Sequence, residues 1–485
     1  MKIKERILYT AIFICWIVIT IVAGLNHEAW ADEAQAWLIA RDHSFFDIIF
    51  SNVLNYEGHP FLWYYIVKFF ILLHLPYNYY FVIPLLFTGI GLYLLLFKSK
   101  LPDFIKIILP FTFYIFSLYP IIARNHSLVF PVLAFIAIIY KDRLQKPVIY
   151  TLLLLVLLSI SAHSYVIAGI LFLSYCFDTY KKYRKDRYID KKLICCVSAA
   201  FLGFILTPLY LISPTDLVRV TRVHVPDNFL LSILEPFTDC YFKINYHNLK
   251  TYMLGAFLLS MYSVGFFAFC KTLQQKILFI TLPLSVLLVM STVYYMHWHL
   301  GYIFFCLIFL LWIFTEENKL YEEKPTLLDK IFYSLFLILL LIQLKWGILN
   351  EFLDNMYPYC GSKSAANFII KNNLDKYDIV GIGFKSMPLQ PYFPKNIYKN
   401  YKQSYWGWTR ANYANQREPV NLRYPVIVMD YMEQGNFTKE DVEFITHNYK
   451  IYIFNGMMFI KGRNQESNNL IICVRNDIAN SINNQ

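Results

Sequence analysis

Side chains that could perform acid–base and anion-binding chemistry are concentrated near the start of the chain. The segment from Leu25 to Pro60 is rich in acid, although the whole chain has a formal net charge of +11. Its charged residues are the acids Glu28, Asp32, Glu33, Asp42, Asp47 and Glu57 and the base Arg41. A carboxylate can take a proton from a hydroxyl group, and neighbouring like charges raise its pKa. The segment therefore predicts an acidic loop that contains candidates for a general base.

Arginine and histidine follow at several later points, each beside an apolar run. The guanidinium group of arginine remains charged in an apolar environment and can bind two phosphate oxygens at once, so these positions are candidates for binding an anion. The candidates are His59, Arg124, His126, His163, Arg219, Arg222, His224, His297 and His299.

The elements that must position these residues are membrane helices. Hydrophobic residues make up 57% of the 485-residue chain and charged residues only 16%. Apolar runs of roughly 18–25 residues are long enough to cross a bilayer as helices. We therefore predict a mainly α, polytopic membrane protein with about eleven spans. They are Leu8–Leu25, Tyr79–Phe97, Phe104–Ile122, Leu128–Tyr140, Val148–Ser161, Tyr165–Phe177, Leu193–Ile212, Tyr252–Cys270, Ile277–Tyr295, Leu300–Phe314 and Leu327–Ile348.

The run Phe61–Leu75 decides the sidedness of the later loops. It is short, contains Lys68 and is bounded by prolines. If it does not cross, the basic loops fall on the cytoplasmic side, as the positive-inside rule requires. We therefore interpret it as a juxtamembrane or re-entrant helix, with the N-terminus of the chain in the cytoplasm. The acidic loop and the arginine and histidine candidates then lie together on the external side, although such residues also anchor helices at the membrane surface.

The chain divides into a transmembrane module, residues 1–348 with the acidic loop at 25–60, and a small external α/β domain, residues 349–485. In this tail we predict helices over Ser362–Asn372 and Lys439–Asn448, and strands elsewhere. The strands are Asp378–Gly383, Tyr424–Asp430, Tyr449–Asn455, Met457–Lys461 and Leu470–Val474. The aromatic segment from Tyr392 to Trp408 resembles either a sugar-contacting loop or a packing surface against the membrane.

Three other interpretations of the composition carry less weight. The basic residues cluster in short loops between apolar runs, which indicates topology and not nucleic-acid binding. The nine cysteines show no metal-ligand spacing, and only Cys360 and Cys473 are placed where they could pair. Ala29-Trp30-Ala31 has the form of a signal-peptidase site, but the apolar stretch before it is longer than a usual signal sequence, so we expect a retained first helix.

Two short motifs carry a family resemblance. Trp30-Ala31-Asp32-Glu33 precedes Tyr56-Glu57-Gly58-His59-Pro60 by twenty to thirty residues. In this respect the chain resembles the C-type fold (GT-C) glycosyltransferases, which include protein O-mannosyltransferases and aminoarabinose transferases of lipid A. Members of that group transfer a sugar from a polyprenyl-phosphate donor at the external face of the cytoplasmic membrane. The resemblance covers about the first 180 residues.

The resemblance implies roles for individual residues. Asp32 matches the acid that activates the acceptor hydroxyl, and His59 stands where a cation meets the lipid phosphate. Glu33, Glu57, Arg124, His126, His163, Arg219 and Arg222 are the further candidates for binding substrate or phosphate. A divalent cation (Mg, Mn, Ca or Zn) bridging Glu57 and the phosphate is an open alternative.

The expected partners are a polyprenyl-phosphate-linked sugar, an acceptor lipid, glycan or protein, and the bilayer. The alternatives are a flippase or transporter of lipid-linked glycans, a polymerase or ligase that uses the same donors, and a non-catalytic envelope assembly protein.

Overall fold

The computed structural model describes residues 3–50, 53–188, 190–212, 226–242, 249–409, 423–430 and 438–482. Helices form most of the first 356 residues. They are α1 (Ile3–Asn26), α2 (Ala31–Asp42), α3 (Phe45–Phe50), α4 (Val53–Glu57), α5 (Leu62–Leu72), α6 (Val82–Lys98), α7 (Asp103–Ile108), α8 (Val129–Ile139), α9 (Pro147–Leu158), α10 (Ala162–Asp186), α11 (Lys191–Leu206), α12 (Pro208–Leu211), α13 (Phe229–Tyr241), α14 (Leu249–Phe269), α15 (Leu273–Thr292), α16 (Gly301–Glu317) and α17 (Leu327–Met356). The prediction of a mainly α chain is confirmed.

Six helical segments of the described chain are long and apolar enough to cross a membrane. They are Ile3–Asn26, Tyr77–Lys98, Lys191–Leu211, Leu249–Phe269, Leu273–Thr292 and Leu327–Met356. A helical protein with several apolar helices of this length associates with a bilayer as a multi-pass protein. The last of these helices continues past position 348 as far as Met356.

The predicted span Phe104–Ile122 is not one continuous helix. It consists of α7, a 3₁₀ turn at Leu109–Phe111 and a π-helical turn at Tyr114–Leu118. Pro110 lies inside the 3₁₀ turn, and a proline inside an apolar run removes a backbone donor and interrupts the helix. Helix α17 passes so close to the break that a Cβ atom at Gly347 would lie 2.3 Å from the Phe111 carbonyl oxygen.

Helix α16 lies in the centre of the bundle. Every residue from Gly301 to Thr315 is buried, and α8, α13 and α15 pack around it. A helix that is apolar on all sides lies in a protein core or in the hydrocarbon of a membrane, and here other helices cover it. Helix α16 is therefore a core helix, although it is short.

The run Phe61–Leu75 forms the single short helix α5, which packs against α2. Eleven helical residues rise about 17 Å, well short of the roughly 30 Å hydrocarbon core. Its packing on α2 brings the end of the acidic loop back against the first part of that loop.

The tail contains a mixed sheet flanked by helices. Its elements are α18 (Ser362–Lys371), α19 (Lys439–Asn448), α20 (Asn476–Ile482), β1 (Ile379–Ile382), β2 (Val426–Asp430), β3 (Tyr449–Phe454), β4 (Met457–Ile460), β5 (Arg463–Ser467) and β6 (Leu470–Arg475). The sheet order is β1-β2-β6-β3, with β1 parallel to β2 and the other pairs antiparallel, and β4 and β5 form a separate hairpin. The predicted helices and strands of the tail are confirmed. Strand β5 was not predicted, because its polar sequence has no apolar alternation.

The tail is not packed only on itself. The main apolar cluster of the helical bundle also contains Tyr359, Tyr405, Met458 and Ile460 of the tail. The prediction that Cys360 could pair with Cys473 is wrong, because both are free and belong to different apolar clusters.

Candidate active site

The acidic loop is folded around helix α2, which begins directly after Trp30. Asp32 and Glu33 occupy its first turn, where the helix dipole stabilises negative charge. Glu33 is fully buried. Its carboxylate contacts His27 Nε2 at 2.9 Å and accepts hydrogen bonds from the backbone amides of Trp30 at 3.1 Å and Ala123 at 2.5 Å. These contacts favour a structural role for Glu33 instead of the predicted contact with substrate.

Asp32, in contrast, lies at the surface of the site. Its Oδ2 atom lies 3.2 Å from Nη1 of Arg124, which also donates to the Asp32 carbonyl at 3.1 Å. The side chains of Asp32 and Arg124 keep 23% and 16% of their surface exposed. Arg124 comes from the distant turn before α8, so the fold joins two of the predicted site residues. A partly exposed ion pair of this kind remains open to a ligand.

Glu28 and Glu33, the acids expected to raise the pKa of Asp32 as like charges, both bond other groups of the chain. Glu33 makes its hydrogen bonds to the chain, as described above. Glu28 accepts a hydrogen bond from the backbone amide of Lys363 at 3.4 Å. The charge that meets the carboxylate of Asp32 directly is positive, that of Arg124.

His59 contacts the same arginine. Its Nε2 atom lies 3.5 Å from Nη2 of Arg124, and its Nδ1 atom lies 3.5 Å from Nδ2 of Asn125. Gly58, directly before it, has a φ of 67°, a left-handed conformation that favours glycine. Burial, with the positive charge of Arg124, lowers the pKa of His59 to about 3. Burial beside Arg124 therefore opposes the predicted cationic role of His59.

Glu57 is the second carboxylate of the site. Its Oε1 atom accepts a hydrogen bond from Gln35 Nε2 at 2.7 Å, and the side chain of Trp408 also donates to it. Burial raises the pKa of Glu57 to about 7, although Gln35 and Arg124 both favour its ionised form. A carboxyl group with a pKa near neutral is suited to proton transfer.

Gln35 connects this carboxylate to the tail. Its Nε2 atom also donates to the Trp406 carbonyl at 3.0 Å, and its Oε1 atom accepts from the Trp406 amide at 2.8 Å. The sequence reasoning missed Gln35. Its spacing could have identified it, because Gln35 follows Asp32 by three positions and so lies on the same side of α2.

A cavity of about 160 Å³ lies beside Glu57, between the acidic loop and the tail. Its lining is aromatic and polar, and it consists of His43, Val53, Tyr56, Glu57, Gln403, Tyr405, Trp406, Gly407, Trp408 and Thr409.

Three histidines form a layer behind Arg124. The rings of His163 and His299 stack with centroids 4.3 Å apart, and His126 contacts His299 edge-on at 5.0 Å. His126 Nδ1 lies 3.2 Å from the hydroxyl of Tyr302, whose oxygen lies 2.7 Å from Ser161 Oγ. His126 and His163 are both buried, so they can support the site from behind but do not line its open side.

Arg219, Arg222 and His224 lie outside the described residues. Within the described part of the chain, no group of three or more histidine, cysteine, aspartate or glutamate side chains could hold a metal ion. Glu57 therefore belongs to no such group in that part of the chain.

The structure thus brings together Asp32, Glu57, His59 and Arg124, which the sequence separates by up to about ninety positions. Comparison of the chain with protein-family models, curated proteins and solved structures finds no match. The resemblance to the GT-C glycosyltransferases therefore stays a prediction.

Proposed function

We propose that the chain is an integral membrane glycosyltransferase that moves a sugar from a polyprenyl-phosphate donor to an acceptor hydroxyl. The observation that carries the proposal is the partly exposed pair of Asp32 and Arg124, with Glu57 and His59 beside it. The site offers a proton acceptor, a fixed positive charge and a neutral imidazole within one small region. These are the groups that transfer from a phosphate-linked sugar requires.

Asp32 is the proposed general base. The acceptor oxygen gives its proton to Asp32 and forms a bond to the anomeric carbon. The bond from that carbon to the phosphate oxygen breaks, and polyprenyl phosphate leaves with the electron pair. Arg124 binds the phosphate and offsets the negative charge that develops on it.

The pair of Asp32 and Arg124 gives the donor a way to prepare the base. A phosphate that binds Arg124 competes with Asp32 for the same guanidinium group. Once that contact weakens, Asp32 loses a neighbouring positive charge and its affinity for a proton rises. Donor binding would then activate the base for the acceptor.

The proposed setting is the cytoplasmic membrane, with the N-terminus in the cytoplasm and the site and tail on the external face. It includes about eleven crossings, some of them made by short or interrupted helices. The basic residues of the loops Lys98–Lys100, Lys141–Lys146 and Lys181–Lys192 support this orientation.

The test is transfer of radiolabelled sugar by the purified full-length protein in lipid nanodiscs, with a panel of polyprenyl-phosphate sugars as donors. We expect Asp32→Asn to lower turnover at least 100-fold, because a base is lost, while the protein still inserts and folds. Asp47→Asn is the matched control, because Asp47 lies in the same loop but is exposed and bonded to Ser44.

Parallel reactions with a chelator and with added Mg²⁺ or Mn²⁺ would decide the cation question. No turnover with any donor, together with donor binding that is unaffected by Asp32→Asn, would contradict the proposal and favour lipid transport or assembly instead.

A further inference from the structure

We propose that the cavity between the acidic loop and the tail binds a sugar ring of the acceptor, so that the acceptor is a glycan. This inference rests on the proposed function and deepens it, since the acceptor class was left open above. The cavity is the space lined by His43, Val53, Tyr56, Glu57, Gln403 and residues 405–409, which we call the aromatic subsite.

The aromatic subsite offers ring surfaces that are held in place. Trp408 is half-buried, and its ring packs against Phe384 at 5.0 Å and Trp406 at 6.2 Å between centroids. Tyr405 is held by a contact of its hydroxyl with His43 Nε2 at 2.9 Å. Rigid amphipathic rings bind a ligand with little loss of conformational entropy, and their apolar faces suit the C–H face of a sugar.

The polar groups of the subsite suit hydroxyl groups. A carboxylate has about four lone-pair positions. Hydrogen bonds from Gln35 and Trp408 use about half of those of Glu57. The remainder can accept hydrogen bonds from sugar hydroxyls. Gln403 and Thr409 add further polar side chains to the lining.

Size and lining argue against the lipid donor as the occupant. Pockets for drug-sized ligands measure roughly 300–1,000 Å³, whereas this cavity measures about 160 Å³, which suits one ring rather than a long chain. A polyprenyl chain would need an apolar groove, but Glu57, His43 and Gln403 line this cavity.

The subsite also lies beside the proposed chemistry. Glu57 lines it, and Gln35, which donates a hydrogen bond to Glu57, lies one helical turn after Asp32 on α2. We expect a sugar held on Trp408 to place a hydroxyl near that turn. The tail, through residues 403–409, would select the acceptor, while the helical module binds the donor.

The experiment measures binding of methyl glycosides and disaccharides of common hexoses and N-acetylhexosamines to the full-length protein in nanodiscs. Saturation-transfer NMR and tryptophan fluorescence report binding. We expect at least one glycoside to bind, with an affinity about tenfold weaker for Trp408→Ala and within threefold of wild type for Trp408→Phe, which keeps an aromatic face.

Tyr452→Ala is the matched control, because Tyr452 packs on Phe368 elsewhere in the tail. Gln403→Ala, at the rim of the cavity, provides a second variant if Trp408→Ala fails to fold. The proposal is overturned if no glycoside binds, or if Tyr452→Ala weakens binding as much as Trp408→Ala. It is also overturned if brominated lipids quench the fluorescence of Trp408 and glycosides leave that fluorescence unchanged, because residues 405–409 would then rest on the membrane.

The two proposals fail in different ways. If glycoside binding depends on Trp408 but no donor supports transfer, the proposed subsite is supported and the proposed transferase is contradicted. If transfer depends on Asp32 but Trp408→Ala leaves the acceptor KM unchanged, the proposed transferase is supported and the proposed subsite is contradicted.

Discussion

At the scale of single residues, two adjacent acids have different environments. Asp32 is partly exposed and paired with Arg124, whereas Glu33 is fully buried and bonded to three groups of the chain. Successive residues of a helix point about 100° apart, so one faces the site and the other faces the core. The acidic motif therefore combines a candidate for chemistry with a residue that fixes the fold around it.

This difference predicts unequal effects of two similar substitutions on stability. Glu33→Gln should lower the free energy of unfolding by about 2–3 kcal/mol, because charge-assisted hydrogen bonds to buried groups are weakened. Asp32→Asn should change it by less than about 1 kcal/mol, because its ion pair is partly exposed. Unfolding in mixed micelles, followed by tryptophan fluorescence, measures both. Equal losses of stability would show that Asp32 is also structural.

Glu57 predicts the pH dependence of activity. Its pKa of about 7 means that it is protonated below neutral pH and ionised above. Gln35 and Trp408 both donate hydrogen bonds to its carboxylate, so the ionised form organises the subsite. We therefore expect kcat/KM to rise with pH through about 7 and this rise to be absent in Glu57→Gln. If the rise persists in the variant, another group is responsible.

Arg124 predicts a strict requirement for guanidinium geometry. Arg124→Lys keeps the positive charge but loses the planar fork that contacts Asp32 and His59 and would bind phosphate. We expect at least a tenfold increase in the donor KM, measured in the same transfer assay. Lys68→Arg is the control, because Lys68 bonds the Ala40 carbonyl away from this pair. A donor KM unchanged by Arg124→Lys would contradict the proposal that Arg124 binds the phosphate.

At the scale of elements, the site depends on interrupted helices. The chain from Asp103 to Leu118 is broken into short turns, and Arg124 follows directly after it. A regular helix through this region would place Arg124 elsewhere relative to α2. Helix α17 packs on the break through Gly347, where no side chain can be accommodated.

Two glycine substitutions test this packing. Gly347→Ala should destabilise the protein by about 1–3 kcal/mol, since its Cβ atom would lie 2.3 Å from the Phe111 carbonyl oxygen and backbone must shift. Gly89→Ala is the matched control. Its Cβ atom would meet only the Trp16 ring at 3.4 Å, and alanine favours a helix, so we expect no loss. Thermal unfolding in nanodiscs measures both, and equal effects would contradict close packing at Gly347.

At the scale of the whole molecule, the tail is part of the candidate site. Arg41 donates to the Phe393 carbonyl at 2.8 Å, Ser404 bonds Asp42, and Gln35 bonds the Trp406 backbone. A second attachment lies at the β4–β5 turn, where buried Lys461 bonds Asp239 of α13. These contacts hold the tail against both the acidic loop and α13, and the residues on the side of the acidic loop form a wall of the subsite.

Lys461 predicts how strongly the second attachment holds the tail. Lys461→Met removes a buried cation that bonds the carbonyl and carboxylate of Asp239 and the carbonyl of Phe242. We expect a loss of about 3 kcal/mol, because the buried carboxylate of Asp239 loses the positive charge of Lys461. Limited proteolysis should then cut the tail faster. Lys450→Met, at an exposed position of β3, should behave as wild type.

The sequence alone determined the helical membrane class, the acidic loop and most strands of the tail, because hydropathy and periodicity are properties of neighbouring residues. It could not determine that Glu33 is buried, that His59 is neutral, that Gln35 joins Glu57 to Trp406, or that Cys360 and Cys473 lie in separate clusters. These properties depend on burial and on contacts between residues up to about 370 positions apart, which only the tertiary structure decides.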